Sequence, residues 1–418
     1  MSIGWHCPTM LMVGCDGLSV WLADRAAGPV TVLADAAVAD GEIVSLVRGQ
    51  IAKAGLKDEV LELTGAGDLT GVTALAARLS DTGLVVGVGG GSLLDQAKLA
   101  TLLRANPAAR ARLEVAQRSG LTALPHTVGR SVPLVAIPTT VGTGAELSPV
   151  ACLNHGGGKR LICGTAMQPD LAVVDPVATA TLPVELLAEG VLEVLFRVTG
   201  LYVGGHRDLP TEDALAEAMA ESIVRHGKDL RSTRAEGRRP SDWLRTEIAK
   251  LSGLSHAGWA VLGREPYSCR GWYVANELSS VTGVRKMTAV AALLPPLWRS
   301  ITDGDTRWGS ARRLRALWQR LRAADSGVLP EDPGQGVAAL IDSWGVGRRI
   351  DVAATADGAG SRVVDDVVRR SVRAWGAGLP MLNGFSTADI RKLVDRAVAP
   401  QDPKNSEYLA AQARNSDE

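Results

Sequence analysis

The stretch VVGVGGGSLLDQAKLA, Val85 to Ala100, restricts the folds open to this chain more than any other. An apolar run of strand formers ends in Gly89, Gly90 and Gly91 and leaves at once as a helical pattern. With every Cβ removed where a strand becomes a helix, backbone N–H groups can approach a phosphate closely, and the positive end of the helix dipole faces it. A tight strand-to-helix turn that holds nothing would look the same, so the motif alone does not choose. It is neither G-x-G-x-x-G nor a P-loop.

The surrounding rhythm fits such a turn. VTVLADA (Val30 to Ala36), GLVVGVGG (Gly83 to Gly90), VPLVAIPTT (Val132 to Thr140) and LAVVDP (Leu171 to Pro176) are apolar on consecutive positions, the mark of strands covered on both faces. Between the first two, Ile43, Val47, Ile51 and Leu56 recur at helical spacing. Strand, helix, strand in this order predicts a parallel sheet with crossover helices. After PVATATLP the texture changes to long runs of helix formers, such as TEDALAEAMAESIVRHGKDL and TRWGSARRLRALWQRLRAA. The expected fold is therefore an α/β domain over residues 1–178 followed by an all-α domain over 179–418. Segments 324–336 and 352–362 read as surface loops, and the polar end from Gln401 as a fraying tail.

Composition narrows the partners. Among 418 residues, 45 basic and 45 acidic side chains cancel, which gives no electrostatic case for nucleic acid or an anionic membrane. The five cysteines show no C-x-x-C spacing, which argues against a zinc knuckle or redox dithiol. With no signal-peptide pattern at the start and no apolar run of about 18 residues, the chain reads as cytoplasmic.

A second motif is more specific. AIPTTVGTGAEL (Ala136 to Leu147) is another strand that ends in Pro138, hydroxyls at Thr139, Thr140 and Thr143, and glycines at 142 and 144. G-G-G-S-x-x-D-x-A-K, then I-P-T-T-x-G-T-G-x-E, then P-D-x-A-x-x-D-P at Pro169 to Pro176, resembles the iron-containing (type III) alcohol dehydrogenase family, kin to dehydroquinate synthase. The likeness covers most of residues 8–178. It implies a dinucleotide-binding first domain and a substrate-binding helical domain. Gly89, Gly90, Gly91 and Ser92 would hold the pyrophosphate of NAD, Thr139, Thr140 and Thr143 would line the adenosine and ribose side, and Asp95 and Lys159 would lie near the nicotinamide. Asp35, where the family places its ribose-reading carboxylate, favours NAD(H) over NADP(H), because a carboxylate accepts from a 2′-OH and repels a 2′-phosphate. An Asp that caps a turn is the plainer alternative.

The same resemblance implies a divalent metal held by an Asp and three His, and here the chain departs from its family. Glu193 takes the carboxylate position and Arg197 the first histidine's. Trp272 and Lys286 take the next two, and Asn276 that of a further histidine linked to proton transfer. A metal is thus doubtful. One alternative joins His256 to Glu193 in an unusual metal site; the preferred one lets Lys286 and Arg197, offset by Glu193, hold an alkoxide, carbonyl or carboxylate. An i,i+4 pair of Glu193 with Arg197 on a solvated face is the plainer reading. Trp272 and Tyr273 are expected to shape the substrate pocket.

The expected function is oxidation of an alcohol to a carbonyl. Divergent relatives in biosynthetic clusters, the dehydrogenases of daptide ribosomal-peptide pathways, are also similar and point to the side-chain hydroxyl of a C-terminal threonine. A small-molecule alcohol or a peptide C-terminus would be the partner, and the family implies a homodimer. A sugar-phosphate cyclase of the dehydroquinate synthase type, suggested by Glu193-Val194, and an inactive NAD-binding scaffold are the alternatives.

Overall fold

In the computed structural model, residues 5–104, 106–115, 119–155, 158–325, 329–351 and 360–398 are described. Their strands are β1 Met10–Val13, β2 Val30–Asp35, β3 Asp58–Leu63, β4 Leu84–Gly89, β5 Leu121–Ala123, β6 Leu134–Pro138, β7 Val150–His155, β8 Gly158–Cys163 and β9 Leu171–Val174. Six of them form one sheet in the order β1-β9-β6-β4-β2-β3, every neighbouring pair parallel. The four apolar runs predicted as strands are its β2, β4, β6 and β9. Alternate residues serve opposite faces: Val86, Val88, Val135 and Ile137 pack with Ile43, Val47 and Ile51 of the helix Glu42–Lys53, while Val85, Leu134 and Ala136 pack with Leu94, Ala97 and Leu102 of the helix Gly91–Leu103. A sheet buried on both faces needs no polar alternation, which is why these segments read as unbroken apolar runs.

The strand order places a reversal at the centre. From β2 the chain steps outward to β3, then crosses back over β2 to β4 and continues outward through β6 and β9. The carboxyl ends of β2 and β4 flank this switch point, where open α/β sheets bind their ligands.

A smaller sheet, β5-β8-β7, pairs β7 with β8 antiparallel and β5 with β8 parallel. Segments 324–336 and 352–362, expected as loops, each run into a helix, Pro333–Ser343 and Gly360–Trp375. The side chain of Asp332 caps the first by accepting from Gln335 N at 2.8 Å. Residues 352–359 and the tail from Gln401 lie outside the described residues.

The chain divides into two compact units, Met1–Tyr202 with Arg207–Pro266, and Val203–His206 with Tyr267–Glu418. The strands do end just before residue 178, yet the first unit continues through helices, so the division falls later than the one drawn from texture. The reason is packing. Gly190 of the helix Val184–Gly204 lies against Gly142, and Gly253 of the helix Asp242–Ala257 lies against Glu146 and Leu147. The second unit is helical, with Trp318, Trp344 and Trp375 fully buried. No helix among the described residues is long and apolar enough to cross a membrane.

Candidate cofactor site

Two turns leave the sheet side by side. Gly89 pairs with Pro138 across β4 and β6, and Thr139 N donates to Gly89 O at 3.0 Å. The glycine turn and the threonine turn therefore start from adjacent strand ends. Gly90, in extended conformation, precedes the helix Gly91–Leu103 and offers no side-chain cap; the Leu93 and Leu94 amides return to Gly90 O, which leaves the Gly91 and Ser92 amides without a partner within the helix. A Cβ on Gly91 would lie 2.9 Å from Thr143 Cγ2 and 3.0 Å from its Oγ1, and one on Gly90 would lie 3.2 Å from Thr140 Oγ1. The glycines thus bring the Thr140 and Thr143 hydroxyls to the mouth of the helix. Ser92 is exposed beside them, and Thr139 is buried beneath.

The other expected nucleotide contacts are less direct. Asp35 ends β2 on the same edge of the sheet, and its Oδ1 accepts from Ala37 N at 3.0 Å, which is a turn-capping bond. Asp95 Oδ2 accepts from Cys152 N at 2.9 Å, tying the helix Gly91–Leu103 to β7. Lys159 stands in β8, paired with Asn154 of β7.

Below the threonine turn lies a set of buried charges. Glu193 and Arg197 sit one turn apart on the helix Val184–Gly204, with side chains 8% and 9% exposed, so the solvated-face reading of this pair is corrected. Arg197 Nη1 donates to Ser255 Oγ at 2.6 Å, and its Nη2 donates to Gly142 O at 2.8 Å and Thr143 O at 3.3 Å and lies 3.5 Å from Glu193 Oε1. His256 Nε2 is 2.9 Å from Thr143 O; a carbonyl only accepts, so this nitrogen carries the hydrogen. A bond of this kind to the turn is how the structure uses His256.

Two charged residues inside the recognised motifs drew no role from the sequence. Lys98 is fully buried; its Nζ donates to Ser148 O at 3.1 Å and Val150 O at 3.0 Å, and burial pushes its pKa down. Glu146 is 1% exposed, with no partner for Oε2. Burial raises its carboxyl to about 7, against the pull of its own backbone N–H, Lys98 and Arg197. For Lys98 the visible signal was its place in AKLATLL, a run otherwise of apolar residues and one threonine.

In the second unit, Lys286 Nζ lies 3.6 Å from the centre of the Trp272 ring, a cation–π contact. Tyr273 is buried against Trp375, with ring centres 5.0 Å apart. Asn276 is buried, and the neighbouring Glu277 accepts from Trp375 Nε1 at 3.0 Å and Arg370 Nε at 2.9 Å.

The donor set does not fit a divalent metal. A guanidinium stands beside the Glu193 carboxylate, and among the described residues no three His, Cys, Asp or Glu side chains are grouped to hold an ion. The glycine and threonine turns do fit a dinucleotide, because bare amides and hydroxyls converge at the switch point of a parallel sheet.

Comparison with known proteins agrees with this architecture. Residues 13–176 match the family model of the iron-containing alcohol dehydrogenases. Long-chain-alcohol dehydrogenase 1 of Geobacillus thermodenitrificans is 35% identical over 198 residues, 46% of this chain and 47% of that protein. The chain thus matches about half the length of that relative. Among solved structures, NADH-dependent butanol dehydrogenase A of Thermotoga maritima superposes with a TM-score of 0.75 at 17% identity, over 95% of this chain and 99% of the other. Sulfoacetaldehyde reductase of Bifidobacterium kashiwanohense, solved in complex with NAD+, superposes with a TM-score of 0.72 at 18% identity, over 96% and 100%. The family likeness thus lies in the α/β part of the chain, and the solved structures share its fold.

Proposed function

We propose that the chain is an NAD(H)-dependent oxidoreductase that interconverts an alcohol and a carbonyl compound. The observation that carries this reading is the convergence of the Gly89–Ser92 turn with the Thr140 and Thr143 hydroxyls at the sheet's switch point. The amides of Gly91 and Ser92 and the Ser92 hydroxyl hold the diphosphate, with the helix dipole behind them. Thr139, Thr140 and Thr143 line the nucleoside side, and Asp35 accepts from the ribose 2′-OH. Asp95 and Lys159 lie toward the nicotinamide, which when bound takes or gives the hydride.

The charges expected to take part in the chemistry divide by unit. Arg197 and Glu193 supply fixed charge beneath the threonine turn. Lys286, resting on the Trp272 indole, is the cation for an anionic end of the substrate. The substrate we favour is a peptide with a C-terminal threonine: oxidation of its β-hydroxyl gives a β-keto acid, which loses CO2, and Lys286 pairs with the terminal carboxylate. Five free thiols support a reducing cytoplasm, and the family supports a homodimer.

The test is titration of the purified chain with NADH and NAD+, followed by nicotinamide absorbance with simple alcohols and with peptides ending in threonine or its alaninamide control. Turnover confined to the threonine peptides supports the full reading. Binding without turnover on any alcohol leaves a nucleotide-binding scaffold, and absence of nucleotide binding ends the proposal.

A further inference from the structure

The threonine turn is tied to the sheet it leaves at Thr139, and its later residues are gripped by helices. Two of its residues have left-handed backbone, Gly142 at φ +101° and Gly144 at φ +59°, and these twists aim its polar groups at two helices. Gly142 N donates to Ser252 Oγ at 2.8 Å, on the helix Asp242–Ala257. Gly142 O and Thr143 O both accept from Arg197, on the helix Val184–Gly204, and Thr143 O also meets His256. Nothing larger than glycine fits at these points: a Cβ on Gly142 would lie 2.7 Å from Gly190 Cα, and one on Gly144 would lie 2.4 Å from His256 Cδ2.

Arg197 joins all the parts. One guanidinium reaches two successive carbonyls of the turn, the Ser255 hydroxyl of the second helix and the Glu193 carboxylate of its own. A planar fork with fixed donor directions sets the relative position of several acceptors at once, which a point charge such as an ammonium does less well. Its side chain is 9% exposed, so these contacts lie out of water, where charge-assisted bonds are strong. Its Nη1 and Nη2 donate to protein acceptors, two of them carbonyls of the turn, so the turn is where it acts on the site.

We propose that Arg197 is a positioning residue for the nucleotide: it fixes the turn that presents Thr139, Thr140 and Thr143, and it does not grip substrate. The inference rests on the cofactor reading above and assigns to this cation a different task from the carboxylate holding expected of it. Without the brace, the turn samples other arrangements and binds only in the correct one. If that arrangement is populated a tenth to a hundredth of the time, apparent affinity falls about 10- to 100-fold.

The experiment uses the full chain, with Arg197→Lys, Arg197→Ala and Ser255→Ala, and three readouts: NADH affinity by titration, kcat at saturating nucleotide, and amide exchange across residues 139–147 and 84–92. For Arg197→Lys we expect NADH affinity to fall about 10- to 100-fold, a larger change than that in kcat at saturating nucleotide, and exchange to quicken in 139–147 alone. Added guanidinium should restore part of the affinity of Arg197→Ala and none of that of Ser255→Ala. Unchanged affinity and exchange in Arg197→Lys would overturn the inference, as would a collapse of kcat at unchanged affinity, which would put Arg197 on the substrate. Should Arg197→Lys fail to fold, Ser255→Ala, which loses the Nη1 acceptor and the Ser255 Oγ donation to Ser252 O within its own helix, decides by the same pattern at a few-fold amplitude, and a flat result there counts against the brace. If the wild-type chain binds no NADH, the cofactor reading fails by itself, and the exchange data alone then uphold or overturn the bracing.

Discussion

The glycine turn and the threonine turn leave neighbouring strands of one sheet, yet they are built on opposite plans. The first is a short passage from β4 into a helix, made of backbone and finished within the contacts of its own segment: Leu93 and Leu94 amides return to Gly90 O. The second is an irregular loop whose form depends on side chains from two later helices. A phosphate cradle can be made locally because helix geometry supplies the aligned amides. A set of hydroxyls at chosen positions has no such local source and must be imposed from outside.

The sharpest way to break the comparison is to add one methyl group to each turn. Gly142→Ala forces a left-handed alanine and drives its Cβ to within 2.7 Å of the Gly190 backbone. Strain and overpacking together should cost about 2–5 kcal/mol of unfolding free energy, measured by denaturant titration. Gly91→Ala meets only the movable Thr143 side chain, at 2.9 Å. It should cost about 1–2 kcal/mol, while lowering NADH affinity by at least as much as Gly142→Ala does. Equal stability losses from the two would show that both turns are imposed in the same way.

The buried carboxyl beneath the threonine turn gives a pH signature that the glycine turn lacks. Glu146 is raised to about 7, chiefly by burial, and the facing charges Lys98 and Arg197 only partly offset this. The folded state then binds more protons than the unfolded chain between its ordinary carboxyl range and pH 7, so stability falls as pH rises through that window. Glu146→Gln should remove the slope and stabilise the protein at pH 8 by about 1–3 kcal/mol. A slope unchanged in that variant would mean that another group is responsible.

The smallest effect is expected at the rim. Asp35→Ala loses one capping bond to Ala37 N and should change stability by about 0.5–1 kcal/mol. Its larger consequence is on choice of nucleotide: preference for NADH over NADPH, read from the two dissociation constants, should fall about tenfold. An unchanged ratio would leave Asp35 as a turn residue only.

The two turns also differ in how far the sequence revealed them. The glycine triplet, its strand and its helix are contiguous, so period and composition sufficed to place them. The threonine turn was visible as a motif, but its supports were not, because Arg197, Ser252 and His256 bond to it from 54 to 113 positions away. No local pattern shows whether a Glu and an Arg at i,i+4 face water or protein; here both are buried. The strand β3, DEVLEL, was missed because it lies at a sheet edge and mixes polar with apolar residues, unlike its central neighbours. The small second sheet depends on a hairpin and a distant strand, pairings that short windows do not contain. The start of the helix Pro333–Ser343 was hidden under Gly, Asp and Pro content that reads as loop, whereas the helix Gly360–Trp375 was legible in SRVVDDVVRRSVRAWG.

A brace drawn from the polypeptide itself has a practical side. The Arg197 guanidinium has no dissociation constant: dilution, chelators and air leave its occupancy at one for as long as the chain is folded. The threonine turn thus carries its brace from the moment of folding.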